Sequence, residues 1–192
     1  MAILQIDVDG RSTASVETCD CVDEALAWMR RLVEKSGESR VTAVGIDSYL
    51  SWSSGPSGWR PMDLFLRQRY PTVMNSVFSS NSASGSMAIQ GMAMALRLRQ
   101  LWPDVLLNET HPKVLYNALT HQRYSSGRAM NQWLLEQFNP PLTVPIYNEH
   151  QWDALLSAWA TLMGMRGQWE RDLMADAADL LFPAGDVTYY WP

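Results

Sequence analysis

Three carboxylates, Asp47, Glu109 and Asp153, hold the positions from which this chain could do chemistry. Asp47 ends the apolar run VTAVGID, and Glu109 ends the apolar segment VLLNE. If those segments are neighbouring parallel strands, both acids lie on the strand-end rim where ligands gather in such sheets. Facing carboxylates repel each other and resist desolvation, and a divalent cation with hard oxygen ligands relieves both penalties. Taken singly, each acid is as well explained as a cap on a following helix or as a solvated strand end. Asp153 lies early in a helix that begins near Asn148, on a face it can share with Glu149 and His150. It is followed by Ala154-Leu155-Leu156, so it borders an apolar face and is placed to complete a cation site. The competing explanation is the ordinary preference of acids for the first turns of helices.

Basic and nucleophilic types add candidates. His111 follows Glu109 by two residues, where a general base, a metal ligand, a substrate contact or a backbone-bonded histidine would all fit. Arg60 precedes a helix that carries Asp63 and Arg67 four residues apart. Asp63 and Arg67 make an ordinary helix ion pair, or Arg60 or Arg67 faces a phosphate, since guanidinium forks match phosphate oxygens. Trp52 and Trp59 flank the Asp47 loop and are placed to stack on a base. The loops 53–58 and 79–86 could form a lid, though most such tracts are surface connections. There is no phosphate-binding glycine loop, dinucleotide fingerprint or G-x-S-x-G elbow, and Cys19-Asp20-Cys21 is not a zinc motif.

The elements that must position these groups follow from periodicity. Ala2, Leu4, Ile6 and Val8 alternate with polar residues, and Asp9-Gly10 predicts a two-residue hairpin turn into a return strand over 12–18. A helix is expected over 23–36, stopped by Gly37. The run 41–46 reads as a central strand covered on both faces. Pro61 opens a short helix to about 69; an irregular stretch to 84, a long helix over 86–101 and the second apolar strand follow. Shorter helices are expected over 113–119 and 128–138. Asn148 and Gln151 form a capping box for a helix to 165. A last helix over 168–181 and a terminal strand over 187–191 complete the chain. The alternation predicts an α/β fold with a mixed sheet and flanking helices.

Composition narrows the function classes. The chain has 192 residues, 47% hydrophobic and 18% charged, which suits a single domain over 1–192 with a substantial core. A net charge of −5 argues against non-specific nucleic-acid binding driven by overall charge. No apolar run approaches the roughly 18–20 residues that cross a membrane, so no membrane association is expected. The acidic N-terminus has no export-signal character and the two cysteines do not form a framework, which together predict a cytoplasmic setting.

The segments AVGIDSYLSW, GWRPMDLFLR, LNETHPKVLY and HQWDALLSAWA, in this order and spacing, resemble the DUF429 family of predicted nucleases. The resemblance covers about residues 41–165. It implies a ribonuclease-H-like fold and hydrolysis of phosphodiesters in nucleic acid. It further implies Mg²⁺ or Mn²⁺ held by Asp47, Glu109 and Asp153, with Arg60, Asp63 and His111 as supporting residues around the site. One feature departs from that family. A ribonuclease-H-like sheet opens with three antiparallel strands, of which the first is central and carries an Asp, whereas only two precede the first helix here. The first strand is therefore missing, or replaced by Ala2–Val8 with Asp7 as its acid. Its absence favours an alternative role as a non-catalytic binding or assembly protein, and predicts a homodimer that seals the exposed edge of the strand over 41–46.

Overall fold

The computed structural model describes residues 1–7, 9–38, 40–82, 85–125, 127–175 and 177–192. Val8, assigned above to the apolar face of the first strand, and Ala83 and Ser84 of the 79–86 loop lie outside the described residues.

The chain opens with the expected hairpin, β1 (Ala2–Ile6) antiparallel to β2 (Ser12–Val16), with Ala2 opposite Val16 and Ile6 opposite Ser12. The turn is longer than the expected two-residue form. Asp7 N–H donates to Arg11 O at 3.0 Å, Asp7 Oδ1 accepts from the N–H groups of Asp9 and Arg11, and Gly10 closes the loop at φ 79°. Asp7 thus serves the turn. Helix α1 (Val22–Ser36) has Asp23 and Glu24 in its first turn and Gly37 at φ 76° as its left-handed stop, and it buries Ala25, Leu26 and Met29.

Strand β3 (Ala43–Ile46) leads into a loop containing β4 (Trp52–Ser53), then α2 (Pro61–Arg69), a 3₁₀ turn (Pro71–Ser76) and α3 (Gly85–Leu101). Strand β5 (Leu106–Glu109) returns beside β3 in parallel, with Ala43 opposite Leu106 and Ile46 opposite Glu109. The two strand ends therefore lie level. Helices α4 (Pro112–Thr120), α5 (Arg128–Leu135) and α6 (Glu149–Met165) follow. Asn148 Oδ1 accepts from Gln151 N–H at 3.0 Å, while Gln151 Oε1 reaches one residue further back than a capping box requires, to Tyr147 N–H at 2.9 Å.

Two expectations fail here. The segment 168–181 is not a helix. Gly167 at φ 66° ends the preceding turn, β6 (Arg171–Asp172) pairs with β8 (Tyr190–Trp191), and β7 (Leu180–Leu181) pairs with β4. Asp172 Oδ1 accepts from Met174 N–H and Tyr189 N–H, a side-chain competition that draws the backbone out of helix. Nor is there one continuous mixed sheet: the described strands form four two-stranded ladders in a mixed α/β fold. The far edge of β5 takes Thr188, which bridges to Asn108 in parallel.

The expectation that β3 is covered on both faces also fails, since each of its residues is half-buried. Thr42 O and Ile46 O accept from β5, so by the strand's alternation Ala43 and Gly45 turn their backbone groups to the opposite edge. No strand among the described residues pairs there. Helix α6 packs against both β1 and β3 and is buried along most of its length, through Trp152, Leu155, Leu156, Trp159 and Ala160. No helix among the described residues is long and apolar enough to cross a membrane.

Candidate functional site at the strand rim

Gly45 decides how close α6 comes to β3. A Cβ there would lie 2.5 Å from Thr161 Oγ1 and closer still to the Ser157 carbonyl oxygen. Without it, the helix backbone settles directly on the strand, and polar contacts set the register. Asn108 Nδ2 donates to Thr161 Oγ1 at 3.1 Å, Thr110 Oγ1 to Ser157 Oγ at 2.8 Å, and Ser157 Oγ to Asp153 O at 2.7 Å. Thr110 N–H in turn donates to Ile46 O at 2.9 Å. This chain of bonds runs from the end of β5 to the helical turn that carries Asp153. It brings Asp153 to the rim where Asp47 leaves β3.

Asp47 is exposed at the rim, yet enough protein surrounds its carboxyl to desolvate it in part. Desolvation first, then the charge of Asp153, pushes its carboxyl up to about 7. Asp153 is 9% exposed. Its burial pushes the carboxyl up to about 6, against the pull of the Tyr124 hydroxyl and the Lys113 charge. The phenol of Tyr124 lies beside it and is held protonated by burial and by the Asp153 charge. Asp153 Oδ1 and Tyr124 OH form no hydrogen bond of ordinary geometry, although the hydroxyl lies close enough to pull on the carboxylate. A buried carboxylate oxygen without a donor costs about 1–3 kcal/mol or more. The two carboxylates are hard oxygen donors, the type Mg²⁺ and Mn²⁺ take, with the Lys113 charge the nearby cation that acts on both.

Glu109 is placed differently from the expectation. It is 3% exposed, and its oxygens accept from Arg60 Nη1 at 2.8 Å, Arg60 Nη2 at 2.6 Å and Leu50 N–H at 2.7 Å. Arg60, fully buried, also donates to Asp63 from Nε at 2.9 Å and from Nη2 at 2.7 Å, and to Ser51 Oγ from Nη1 at 3.0 Å. Burial alone would lower Arg60, but Glu109 and Asp63 outweigh it and keep it charged. Burial raises Glu109 while Arg60 draws it back, and the net direction is up. Arg60, Asp63 and Glu109 are therefore a buried ion network that ties α2 and the β4 loop to β5. Breaking one partner of such a network costs about 3–5 kcal/mol. Glu109, expected to hold a metal, and Arg60 and Asp63, expected to contact substrate, are engaged with one another here, and the donors of the guanidinium are spent inside the protein.

Arg67, also expected to contact substrate, is engaged inside the protein as well. It donates to the carbonyls of Met74 at 2.8 Å and Val77 at 2.7 Å, and stacks over Trp59 with Cζ 5.0 Å from the ring centre. It clamps the 3₁₀ turn to α2, and covers the ring proposed for base stacking. His111 sits beneath the rim with Nε2 2.7 Å from Ser76 O, the backbone-bonded form, while Nδ1 has no partner. Burial lowers its pKa, so the ring is neutral and Nε2 is the donor.

Of the other two acids, the charge of Asp153 and, more weakly, that of Glu109 both raise the Asp47 carboxyl. Among the described residues no three His, Cys, Asp or Glu side chains gather as a metal site. Sequence reasoning missed Lys113 and Tyr124. Lys113 is the second residue of α4, and its Nζ lies 5.3 Å from the centre of the Tyr124 ring. The signal for Lys113 was its place four residues after a strand-end acid. Tyr124, in a connecting loop, had none. This chain matches no family profile, no curated protein and no solved structure.

Proposed function

We propose that this chain is a divalent-metal-dependent phosphodiester hydrolase acting on nucleic acid, related to the DUF429 family. The observation that carries the reading is a buried Asp153 whose charge acts on Asp47 at the rim, its Oδ1 making no hydrogen bond of ordinary geometry. Mg²⁺ characteristically keeps several waters and takes one or two protein carboxylates, so this pair suffices for one ion without Glu109. When bound, the ion supplies an activated water and neutralises charge on the phosphoryl group. Asp47 and Asp153 would hold it, Thr110 ties the end of β3 to α6 through Ile46 O and Ser157 Oγ, and the open side of Asp47 would admit substrate.

The fold reading that accompanies this is ribonuclease-H-like, with β1 and β2 as second and third strands, β3 and β5 as fourth and fifth, and α6 as the closing helix. Its support is the element order and the acid on α6. The first-strand position is then the edge of β3 where no described strand pairs, and we assign a second copy of the chain to that edge. One observation favours a second, non-catalytic reading: the engagement of Glu109 by Arg60 leaves two acids, not three.

The test is a panel of RNA and DNA substrates with Mg²⁺ or Mn²⁺, run on the wild type and Asp47→Asn. Cleavage reduced roughly a hundredfold or more in the variant is expected. Equal cleavage by both overturns the reading, and Mn²⁺ binding without cleavage by the wild type establishes the second one.

A further inference from the structure

The basic residues that the sequence offered for a phosphate are all committed elsewhere. Arg60 is locked in its buried network, and Arg67 is spent on two carbonyls and a ring. Lys113 is different. It is half-buried at the rim, and among the described residues it forms no salt bridge. It lies four residues beyond Glu109, in the first turn of α4, so the positive end of that nine-residue helix faces the same rim. Its side chain does not hang free. The ammonium rests against the face of Tyr124, and Tyr124 is wedged edge-on against Trp152, with ring centres 5.3 Å apart, and against Tyr116 at 6.5 Å. An aromatic face holds a cation in place without neutralising it. Its charge acts on Asp47 and Asp153 without a salt bridge to either, so its ammonium donors are open to an incoming anion.

We propose that Lys113 is a substrate-contacting residue of this site, its ammonium taking a non-bridging oxygen of a phosphate, with Tyr124 as the residue that positions it. This rests on the hydrolase reading for its role in a reaction, but not for its binding chemistry. The charges balance: two carboxylates offset one divalent cation, which leaves the single negative charge of a phosphodiester to Lys113. Asp153 Oδ1, buried and without a hydrogen bond of ordinary geometry, would lie on the cation side of that arrangement. Lysine acts here as a point charge rather than a bidentate fork, so recognition of the phosphate would be tolerant of its orientation and of sequence.

The experiment measures inorganic phosphate binding by calorimetry on the whole chain, with and without Mn²⁺, for the wild type, Lys113→Gln, Lys113→Arg, Tyr124→Phe and Tyr124→Leu. Thermal melting checks that each variant is folded. Phosphate affinity is expected to fall at least tenfold in Lys113→Gln and to return in Lys113→Arg. Tyr124→Phe, which keeps the ring, is expected to bind as the wild type does, and Tyr124→Leu to lose several-fold. Mn²⁺ affinity should hold or rise in Lys113→Gln, because a repelling charge has gone. Phosphate affinity unchanged in folded Lys113→Gln overturns the proposal, as does a wild type that binds no phosphate under either condition. Failure of the hydrolase reading would show separately, as equal cleavage and equal Mn²⁺ binding by wild type and Asp47→Asn.

Discussion

Asp153 shows how one buried carboxyl links stability to function. Its native pKa, near 6, lies above the ordinary carboxylate value, pushed there by burial, while Tyr124 and Lys113 lower it, Glu149 raises it and His150 lowers it. A raised native pKa means that the folded chain keeps a proton the unfolded chain has released. The stabilisation is complete below about pH 4 and is lost as pH rises through about 6. Two units at 1.36 kcal/mol each set a ceiling of about 3 kcal/mol. Asp153→Asn should therefore make the metal-free protein more stable than wild type by about 2–3 kcal/mol at pH 8, and leave it unchanged at pH 4. Urea unfolding at the two pH values checks this. The comparison cancels His111, which acts in the opposite sense because burial lowers its pKa and its contribution is lost as pH falls below the ordinary histidine value. A variant no more stable at pH 8 than at pH 4, relative to wild type, would mean that the carboxyl is not strained by burial.

At the scale of elements, the site depends on the approach of α6 to β3, and that approach depends on an absent side chain. Gly45 has an ordinary strand conformation; what it supplies is space. Gly45→Ala puts a methyl group against the backbone of Ser157, which cannot yield without moving the helix. Overpacking of this kind typically costs 1–3 kcal/mol, and we expect about 3 kcal/mol here, because the nearest atoms belong to backbone. The same displacement moves Asp153 away from Asp47, so Mn²⁺ affinity should fall together with the urea midpoint. Loss of stability with full metal affinity would separate the helix contact from the site.

On the scale of the whole molecule, the outstanding feature is an edge strand near the centre of the fold. Strand β3 has β5 on one side, α6 against it, and half-buried residues throughout. Ala43 and Gly45 direct backbone groups to the unpaired edge, a surface that recruits other chains. A second copy sealing that edge predicts a mass by light scattering of twice the 21.7 kDa of one chain at micromolar concentration. A charged replacement at the half-buried Val44, Val44→Lys, should return it to the monomer. A wild-type mass of one chain would remove the dimer and leave the edge to water.

What was legible in the sequence is what local physics controls. The hairpin, α1 with its Gly37 stop, α2 from Pro61, the Asn148 cap and the two apolar strands each carry their own signal over a few residues, and each is found within a residue or two of its expected place. The parallel pairing of β3 with β5 entered the sequence reading only as a condition, because two apolar runs do not record which strand each will lie beside. The environment of each acid was not legible. Asp47, Glu109 and Asp153 carry equivalent signals in the chain, yet Glu109 is taken by Arg60, whereas Asp153 keeps an oxygen without a hydrogen bond of ordinary geometry. Arg60 and Glu109 are 49 residues apart, and no local pattern records which carboxylate a buried guanidinium will choose. The segment 168–181 failed for the same reason. Its helical pattern was outweighed by Asp172, whose carboxylate binds the backbone of Tyr189, 17 residues on. Periodicity reports how a segment would bury its own apolar face; which partner waits at the end of a long side chain is decided only when the whole chain has packed.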